Sequence, residues 1–330
     1  IRSAPMASEK RPGPAALPAE GDPRRREGAK SDWAHPGPPG GRKLRLPRRR
    51  PLREGILTAF ARILAAARRA ARSARQDPVA AVHEYRKSLR RARAVVSLLR
   101  ASLGKEAAAG LARQLRGAFA VTGSFRDADI LLATLRRLPP VPEDDPARHA
   151  IEAALELEQR RTRGETSETL AQALRLLAAL PAVLDVTLDP EFSAHDLERG
   201  LFRSRRRERQ ALERARESGS DEDLHEWRKR VKELRYQVEL LASTGSRELK
   251  KREKALGQLA QELGDVTDAI VLAREIARRQ REGSVPPAPA LLERIRELAA
   301  DGSRRLRERG AGLFEGDPKL FARQVIAERG

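Results

Sequence analysis

Two stretches of the chain carry a histidine followed by cations at helical spacing. Residues 82–99 read VHEYRKSLRRARAVVSLL, and residues 224–241 read LHEWRKRVKELRYQVELL. At an offset of 142 residues His83 aligns with His225, and the next positions align Glu with Glu, Arg with Arg and Lys with Lys. A repeat of this length indicates two copies of one structural unit. Cations in this arrangement indicate an anionic ligand opposite them.

Each stretch divides into an apolar arc and a basic arc when it is drawn at 100° per residue. Tyr85 and Trp227 fall on the apolar arcs, which we expect to face a helical core. We name the basic arcs the first stripe and the second stripe. The first stripe comprises His83, Arg86, Lys87, Arg90 and Arg93. The second stripe comprises His225, Arg228, Lys229, Lys232 and Arg235.

A row of charges opposite an apolar seam is most often a solvated helix face. Such a face usually mixes acids with bases at i+3 and i+4, whereas acids are scarce at those steps here. The second copy also reproduces the row position by position. Both observations favour an anion-binding surface.

The composition favours an all-α protein with an affinity for polyanions. The chain has 330 residues, a net charge of +20, only 3% aromatic residues and no cysteine. Such a core must be built from Leu, Ala, Val and Ile, which suits helical bundles. The absence of cysteine excludes disulfides and Cys-ligated zinc and fits a reducing cytoplasm. We find no apolar run of the ~20 residues that a membrane span needs.

The pattern along the chain predicts a tail followed by a repeated helical domain. Residues 1–50 are rich in Pro, Gly and Arg and are predicted to be disordered and basic. Residues 52–330 are predicted to form two pseudo-symmetric antiparallel helical bundles around a basic central groove or pore, with one repeat unit at 52–180 and the other at 195–315. The predicted helices are 52–75, 78–102, 105–122, 126–138, 147–180, 195–217, 222–243, 246–263, 267–282 and 288–312. Glycine turns are expected at Gly123 and Gly264.

The stripes do not match a known catalytic motif. HEYRK and HEWRK place a lysine where the zinc-binding HExxH motif needs its second histidine. The chain also has no phosphate-binding P-loop and no GxSxG motif. We therefore predict no catalytic residue, no metal and no cofactor. Asp127 and Asp268 either stabilise helix N-termini or orient a stripe arginine. Tyr236 either donates its hydroxyl to an anion or packs at a helix contact.

At these residues the sequence resembles the CHAD family, the conserved-histidine α-helical domain. The first copy fits the family pattern at His83, Arg86, Arg90, Arg91 and Arg93. The second copy fits it at His225, Arg228, Lys229, Lys232, Arg235, Tyr236 and Glu239. Arg126, Asp127 and Asp268 fit the aspartate-bearing turns that follow. The resemblance covers about residues 52–315 and implies a basic cavity that binds inorganic polyphosphate, in some members at polyphosphate granules.

Three functions follow from these observations. The first is non-catalytic binding of polyphosphate by both stripes, together with Arg91 and Tyr236, in the cytoplasm or at granules. Arg203, Arg206 and Arg207 are weaker candidates for contacts, and Asp127, Asp268 and Glu239 are expected to support the site. The alternatives are a general nucleic-acid-binding protein and a metal-dependent enzyme that processes polyphosphate.

Overall fold

The computed structural model describes residues 46, 51–164, 166–242, 245–313 and 316–329, apart from the side chains of Ser124, Arg126 and Leu313. These residues form an all-α structure without strands. The α-helices are α1 (Leu52–Arg72), α2 (Pro78–Leu98), α3 (Lys105–Ala120), α4 (Gly123–Arg137), α5 (Asp145–Arg163), α6 (Thr166–Leu177), α7 (Leu180–Thr187), α8 (Ala194–Ser218), α9 (Asp221–Ala242), α10 (Arg247–Arg281), α11 (Pro289–Leu313) and α12 (Pro318–Ala327). The predicted disordered tail, residues 1–50, lies outside the described residues except for Leu46.

The two stripe helices, α2 and α9, begin at strong local signals and bury the predicted apolar arcs. Asp77 caps α2 by accepting a hydrogen bond of 3.0 Å from the backbone nitrogen of Ala80, and Pro78 occupies the first helical position. Ser220 accepts a hydrogen bond of 3.2 Å from the backbone nitrogen of Asp223 at the start of α9. Tyr85 and Trp227 are both fully buried.

Two hydrophobic clusters form the core, and neither coincides with one repeat of the sequence. The first cluster joins α1, α2, α3, α6 and α7 with the beginning of α8, the end of α9, the beginning of α10 and α12. The second joins α4 and α5 with the end of α8, the beginning of α9, the end of α10 and α11. Helices from the predicted first unit therefore pack with helices from the predicted second unit. The division at 52–180 and 195–315 stays a prediction about the sequence.

The predicted glycine turn at Gly264 is wrong, because α10 is one continuous helix of 35 residues. An interior glycine costs a helix about 1 kcal/mol relative to alanine. Because Gly264 has no side chain, two cations of α9 can approach the backbone of α10 at this point. A Cβ at Gly264 would lie 3.6 Å from Nη2 of Arg228 and 4.0 Å from Nζ of Lys232. Gly264 is thus a contact residue rather than a helix terminator.

The predicted long helix 147–180 is divided into α5, α6 and the beginning of α7. The segment Thr166–Thr187, which spans α6 and α7, has a mean hydropathy of 1.5 and is long and apolar enough to cross a membrane by composition alone. This test is weak evidence, because helices of soluble proteins also satisfy it. The expected lack of a membrane span stays a prediction.

A very close approach of two backbones fixes α8 against α2. A Cβ added at Gly200 would collide with the carbonyl oxygen and side chain of Leu98. Only glycine therefore permits this crossing without a shift of the helices. The contact places the residues that flank Gly200 on α8 beside the carboxyl end of α2.

We predict that Gly200→Ala lowers the free energy of unfolding by about 1–3 kcal/mol, because the added methyl group overpacks the crossing. Gly110→Ala on α3 is the matched control, since its Cβ would meet nothing within 4 Å. This control should raise stability by up to about 1 kcal/mol through helix propensity. Thermal or urea unfolding measures both changes, and equal effects of the two substitutions would contradict the close approach.

Candidate functional site

The first stripe lies along α2, where its residues are half-buried except for Arg93, which is exposed. Arg86 is held by the end of α3 and the residue that precedes α4: its Nη1 donates to the carbonyl oxygen of Phe119 at 3.3 Å and to the hydroxyl of Thr122 at 3.1 Å. Lys87 pairs with Glu84 on its own helix at 3.1 Å. The stripe is therefore a set of positioned cations rather than a fully solvated face.

The aromatic ring of Phe119 on α3 lies close to three arginines of the first stripe. The guanidinium carbons of Arg86, Arg93 and Arg90 lie 3.9, 5.6 and 6.0 Å from the centroid of its ring. A cation near an aromatic face is stabilised by about 0.5–2 kcal/mol, according to its burial. The ring thus offsets part of the repulsion between like charges. Wheel analysis of α2 alone could not identify Phe119, because it lies on another helix.

The second stripe lies along α9 and rests on two glycines of α10. Arg228 forms an ion pair of 3.1 Å with Asp268 across Gly264, and both side chains are mostly buried. Arg235 lies over Gly257, where a Cβ would be 3.6 Å from its Nε. The seven-residue spacing of the arginines matches the seven-residue spacing of the glycines, as antiparallel helices require. The sequence prediction that Asp268 orients a stripe arginine agrees with this contact.

Lys232 shows that the two stripes lie close together. Burial and the neighbouring charges of Arg228, Arg90 and Arg235 lower its pKa well below the usual lysine value, while Asp268 opposes the shift. Arg90 belongs to α2, whereas the other two arginines belong to α9. Cations of both stripes therefore act on a single ammonium group, and the pairing of the stripes in one groove stays a prediction.

Two of the arginines that act on Lys232 have a hydrogen-bond donor without an acceptor. The Nε groups of Arg90 and Arg228 are buried and make no hydrogen bond within the described part of the chain. An unsatisfied buried donor costs about 1–3 kcal/mol, and more when it is charged. These groups are consequently poised to donate to an anion. They are the donors that phosphate oxygens accept best.

Arg137 of α4, which sequence reasoning missed, is influenced by Asp268, the carboxylate that pairs with Arg228. Its Nε and Nη1 are buried and make no hydrogen bond with any described residue. Desolvation lowers its pKa, and the charges of Asp265 and Asp268 on α10 oppose the shift. No signal in the sequence indicates this residue, because it lies outside both repeats of the histidine motif.

His225 lies at the exposed beginning of the second stripe. Its pKa is lowered by partial burial and then by Lys229, Arg228 and Lys232, whereas Glu226 opposes the shift. Lys229 is paired with Glu226 at 3.5 Å. The imidazole is therefore mostly neutral at neutral pH in the empty protein. His83 is half-buried at the corresponding position of α2.

The structure places Arg91, Glu239 and Tyr236 inside the contact between α2 and α9 rather than on an open surface. Arg91 and Glu239 form a buried ion pair with two hydrogen bonds, one of them 3.3 Å from Nε to Oε2. Tyr236 is 7% exposed, and its ring centroid lies 5.9 Å from the guanidinium carbon of Arg91. Glu239 neutralises Arg91 in this position, and a contact of Arg91 with the ligand stays a prediction. Tyr236 packs at a helix contact, the second of its two predicted alternatives.

The remaining predicted residues belong to neither stripe and lie on other helices. Asp127 is exposed and lines a groove of about 1000 Å³ beside α10 and α11. Arg206 is exposed, whereas Arg203 and Arg207 are half-buried on the side of α8 that faces α2. A basic groove or pore between the stripes stays a prediction, as do the roles of all these residues in binding.

Comparison with known proteins identifies the fold of this chain. The family model for the CHAD domain matches residues 54–277. The crystal structure of the CHAD domain from the plant Ricinus communis superposes with a TM-score of 0.58 and 20% sequence identity, covering 87% of this chain and 97% of the plant chain. At this identity the likeness concerns the fold. A search of curated proteins found no significant match.

We predict that Phe119→Leu weakens binding of an anionic ligand to the stripes, because leucine fills the space but no longer holds the three guanidinium groups in position beside one ring. The loss of affinity should be roughly threefold to tenfold, which corresponds to about 0.6–1.4 kcal/mol of binding free energy. Phe119→Trp keeps an aromatic face and should retain most of the affinity. Equal weakening by leucine and tryptophan would mean that only the shape of Phe119 matters.

Proposed function

The chain belongs to the CHAD domain family, and from this membership and the geometry of its cations we propose that it binds inorganic polyphosphate without catalysing its turnover. The ligand would lie against the first and second stripes, with Arg86, Arg90, Arg228, Lys232 and Arg235 as its principal contacts. Arg137 joins them from α4. We propose the cytoplasm, and polyphosphate-rich granules within it, as the place of binding.

The environment of Lys232 is the observation that carries this proposal. Burial lowers the pKa of its ammonium group most, three arginines from two helices lower it further, and Asp268, which opposes them, is already bonded to Arg228. Like charges held together in a partly buried place repel one another strongly. A polyanion would relieve this repulsion at several positions at once. The cluster is thus better suited to a chain of charges than to one carboxylate.

Inorganic polyphosphate fits the cluster better than nucleic acid does. Proteins that bind single-stranded nucleic acid commonly stack bases on exposed aromatic rings. Tyr85 and Trp227 are fully buried, and three guanidinium groups surround the half-buried ring of Phe119. A ligand with one charge per phosphate and no bases needs only the donors that the stripes supply.

We propose binding without catalysis because the nearest carboxylates are already in use. Asp268 pairs with Arg228, and Asp265 accepts a hydrogen bond of 3.1 Å from Gln261. Metal-assisted phosphoryl transfer needs carboxylates that converge on the phosphate. Incubation with polyphosphate and Mg²⁺ or Mn²⁺ should accordingly release no phosphate above the blank, and steady metal-dependent release would contradict this part of the proposal.

We predict that Arg90→Glu/Lys232→Glu abolishes tight binding of long-chain polyphosphate at near-physiological salt, because it places two negative charges where the stripes meet. The matched control is Lys250→Glu/Lys254→Glu, which makes the same charge change at exposed positions of α10. The control should bind nearly as well as the wild type. Fluorescence anisotropy with labelled polyphosphate measures both, after circular dichroism has verified that they are helical.

Competition separates specific binding from general attraction to charge. Single-stranded DNA of equal total charge should displace bound polyphosphate poorly from the wild-type protein. If DNA displaces it as well as polyphosphate does, or if the control variant loses as much affinity as the stripe variant, the net charge of the chain is sufficient. The proposal would then fail in favour of non-specific polyanion binding.

We predict that polyphosphate binds more tightly at about pH 6 than at about pH 8. The pKa of His225 is lowered in the empty protein, and a bound polyanion favours the imidazolium form and raises that pKa. Binding therefore takes up a proton. Affinity increases as the pH falls through the bound-state pKa and levels off below the free-state pKa, by roughly tenfold for each unit of pKa difference. The pKa of Lys232 is also lowered, and a bound polyanion that raises it contributes proton uptake of the same sign.

His225→Asn should reduce this pH dependence, and His195→Asn, at the exposed beginning of α8, should leave it unchanged. Titration calorimetry in two buffers of different ionisation enthalpy measures the proton uptake directly. If the affinity of His225→Asn depends on pH as strongly as that of the wild type, the proton is taken up by another group and the prediction is wrong.

A further inference from the structure

A second group of arginines lies at the end of α2 that is remote from His83. We name Arg100, Arg199, Arg203 and Arg207 the α8 cluster. The close contact of Gly200 with Leu98 places Arg199 and Arg203, which flank this glycine on α8, beside the carboxyl end of α2. Ser97 lies 11 residues beyond Arg86, about 16 Å farther along the helix axis. The α8 cluster therefore lies beyond Arg86 and Phe119 along α2, and Arg93, one helical turn before Ser97, is the residue of the first stripe nearest to it on that helix.

The α8 cluster contains more hydrogen-bond donors than acceptors. Nη2 of Arg207 donates to the hydroxyl of Ser97 at 3.0 Å and to Glu233 at 2.8 Å. Glu233 is shared, because it also accepts hydrogen bonds from Ser97 and from Arg230, the latter at 3.2 Å. Nη2 of Arg203 and Nε of Arg207 are buried and make no hydrogen bond with the described residues. Two oriented donors thus remain for an acceptor from outside.

The local charges also favour an added anion. Desolvation lowers the pKa of Arg203, and the charges of Arg199, Arg207 and Arg100 lower it further, while only Asp196 opposes them among its main influences. Asp196 is engaged elsewhere, since it closes the capping box of α8 with Ser193 at 2.9 and 3.1 Å. Its contact with Arg199 is a looser 3.5 Å. Glu233 and Asp196, which pair with Arg207 and Arg199, therefore neutralise the four arginines of the cluster only in part.

We infer that the α8 cluster is a second anion site, which binds a single tetrahedral oxyanion of the phosphate type between Arg203, Arg207 and Arg100. Guanidinium forks suit phosphate oxygens because they donate two parallel hydrogen bonds. The hydroxyls of Ser97 and Ser204 border the same place, and Ser204 already accepts a hydrogen bond of 3.3 Å from Arg207. The phosphate can be free in solution or can be the end of a longer chain.

A structural role at the end of α2 would explain only part of this arrangement. Cations near a helix carboxyl end interact favourably with its dipole, and Arg100 lies in that position. The dipole does not explain why Arg203 buries a donor without an acceptor. Stability in the absence and in the presence of phosphate separates the two roles.

The test compares the thermal unfolding of the full chain in phosphate and in chloride at equal ionic strength. The variants are Arg203→Gln, within the cluster, and Arg100→Gln, which changes an exposed side chain and does not endanger folding. Arg216→Gln is the matched control, because it removes one charge from an exposed position near the other end of α8. Arg90→Gln/Lys232→Gln tests whether the stripes account for the effect.

Phosphate should raise the melting temperature of the wild type and of Arg216→Gln in a saturable way. Arg203→Gln and Arg100→Gln should each weaken the apparent phosphate affinity by roughly tenfold, as expected for the loss of a charged hydrogen-bonding partner. The stripe variant should keep the phosphate effect even if it loses long-chain binding. The two proposals can therefore fail separately.

The two sources of phosphate are distinguished by repeating the titration with polyphosphate of one defined length. If only the polymer depends on Arg203, the site holds a chain end; if orthophosphate alone suffices, it holds a free ion. The inference is overturned if Arg203→Gln and Arg216→Gln respond equally to both ligands. It is also overturned if the response is lost only in Arg90→Gln/Lys232→Gln.

Discussion

Repulsion between cations on two helices in contact is the constraint on which the rest of the structure depends. The stripes of α2 and α9 bring Arg90, Arg228 and Arg235 around Lys232, whose pKa is lowered well below its usual value. Such an arrangement is unfavourable in the empty protein. It persists because the apolar arcs of the same helices are fully buried and hold the helices in place. The free energy of burial thus supports the close approach of these like charges.

Three local contacts reduce this repulsion without removing it. Phe119 lies beside three guanidinium groups of the first stripe, and Asp268 pairs with Arg228 of the second. The buried pair of Arg91 and Glu239 joins α2 to α9 and neutralises one further arginine. Buried pairs of this kind add little net stability, but loss of one partner is costly. They fix the relative position of the helices and leave the donors of Arg90 and Arg228 available.

The sequence pattern predicts which face of each helix is buried, because that depends on one helix alone. It does not predict contacts that depend on how a second helix packs against the first. The 100° pattern correctly assigned Tyr85 and Trp227 to the core, because periodicity within a helix decides which face is buried. It could not show that Phe119 and Arg137 approach the stripes from α3 and α4. The pattern also placed a helix end at Gly264, because it could not show that this glycine makes room for Arg228 and Lys232 of α9. Arg91 matched a motif, yet its partner lies 148 residues away in the chain.

A double-mutant cycle between Arg90 and Lys232 tests most directly whether the two stripes form one site. The measurement is the dissociation constant of polyphosphate of one chain length for the wild type, Arg90→Met, Lys232→Met and the double variant. If both residues serve one site, the sum of the two single losses of binding free energy should differ from the loss in the double variant by about 0.5 kcal/mol or more, as is usual for residues that share a partner. Losses that add to within about 0.3 kcal/mol would show two independent sites and would contradict the account.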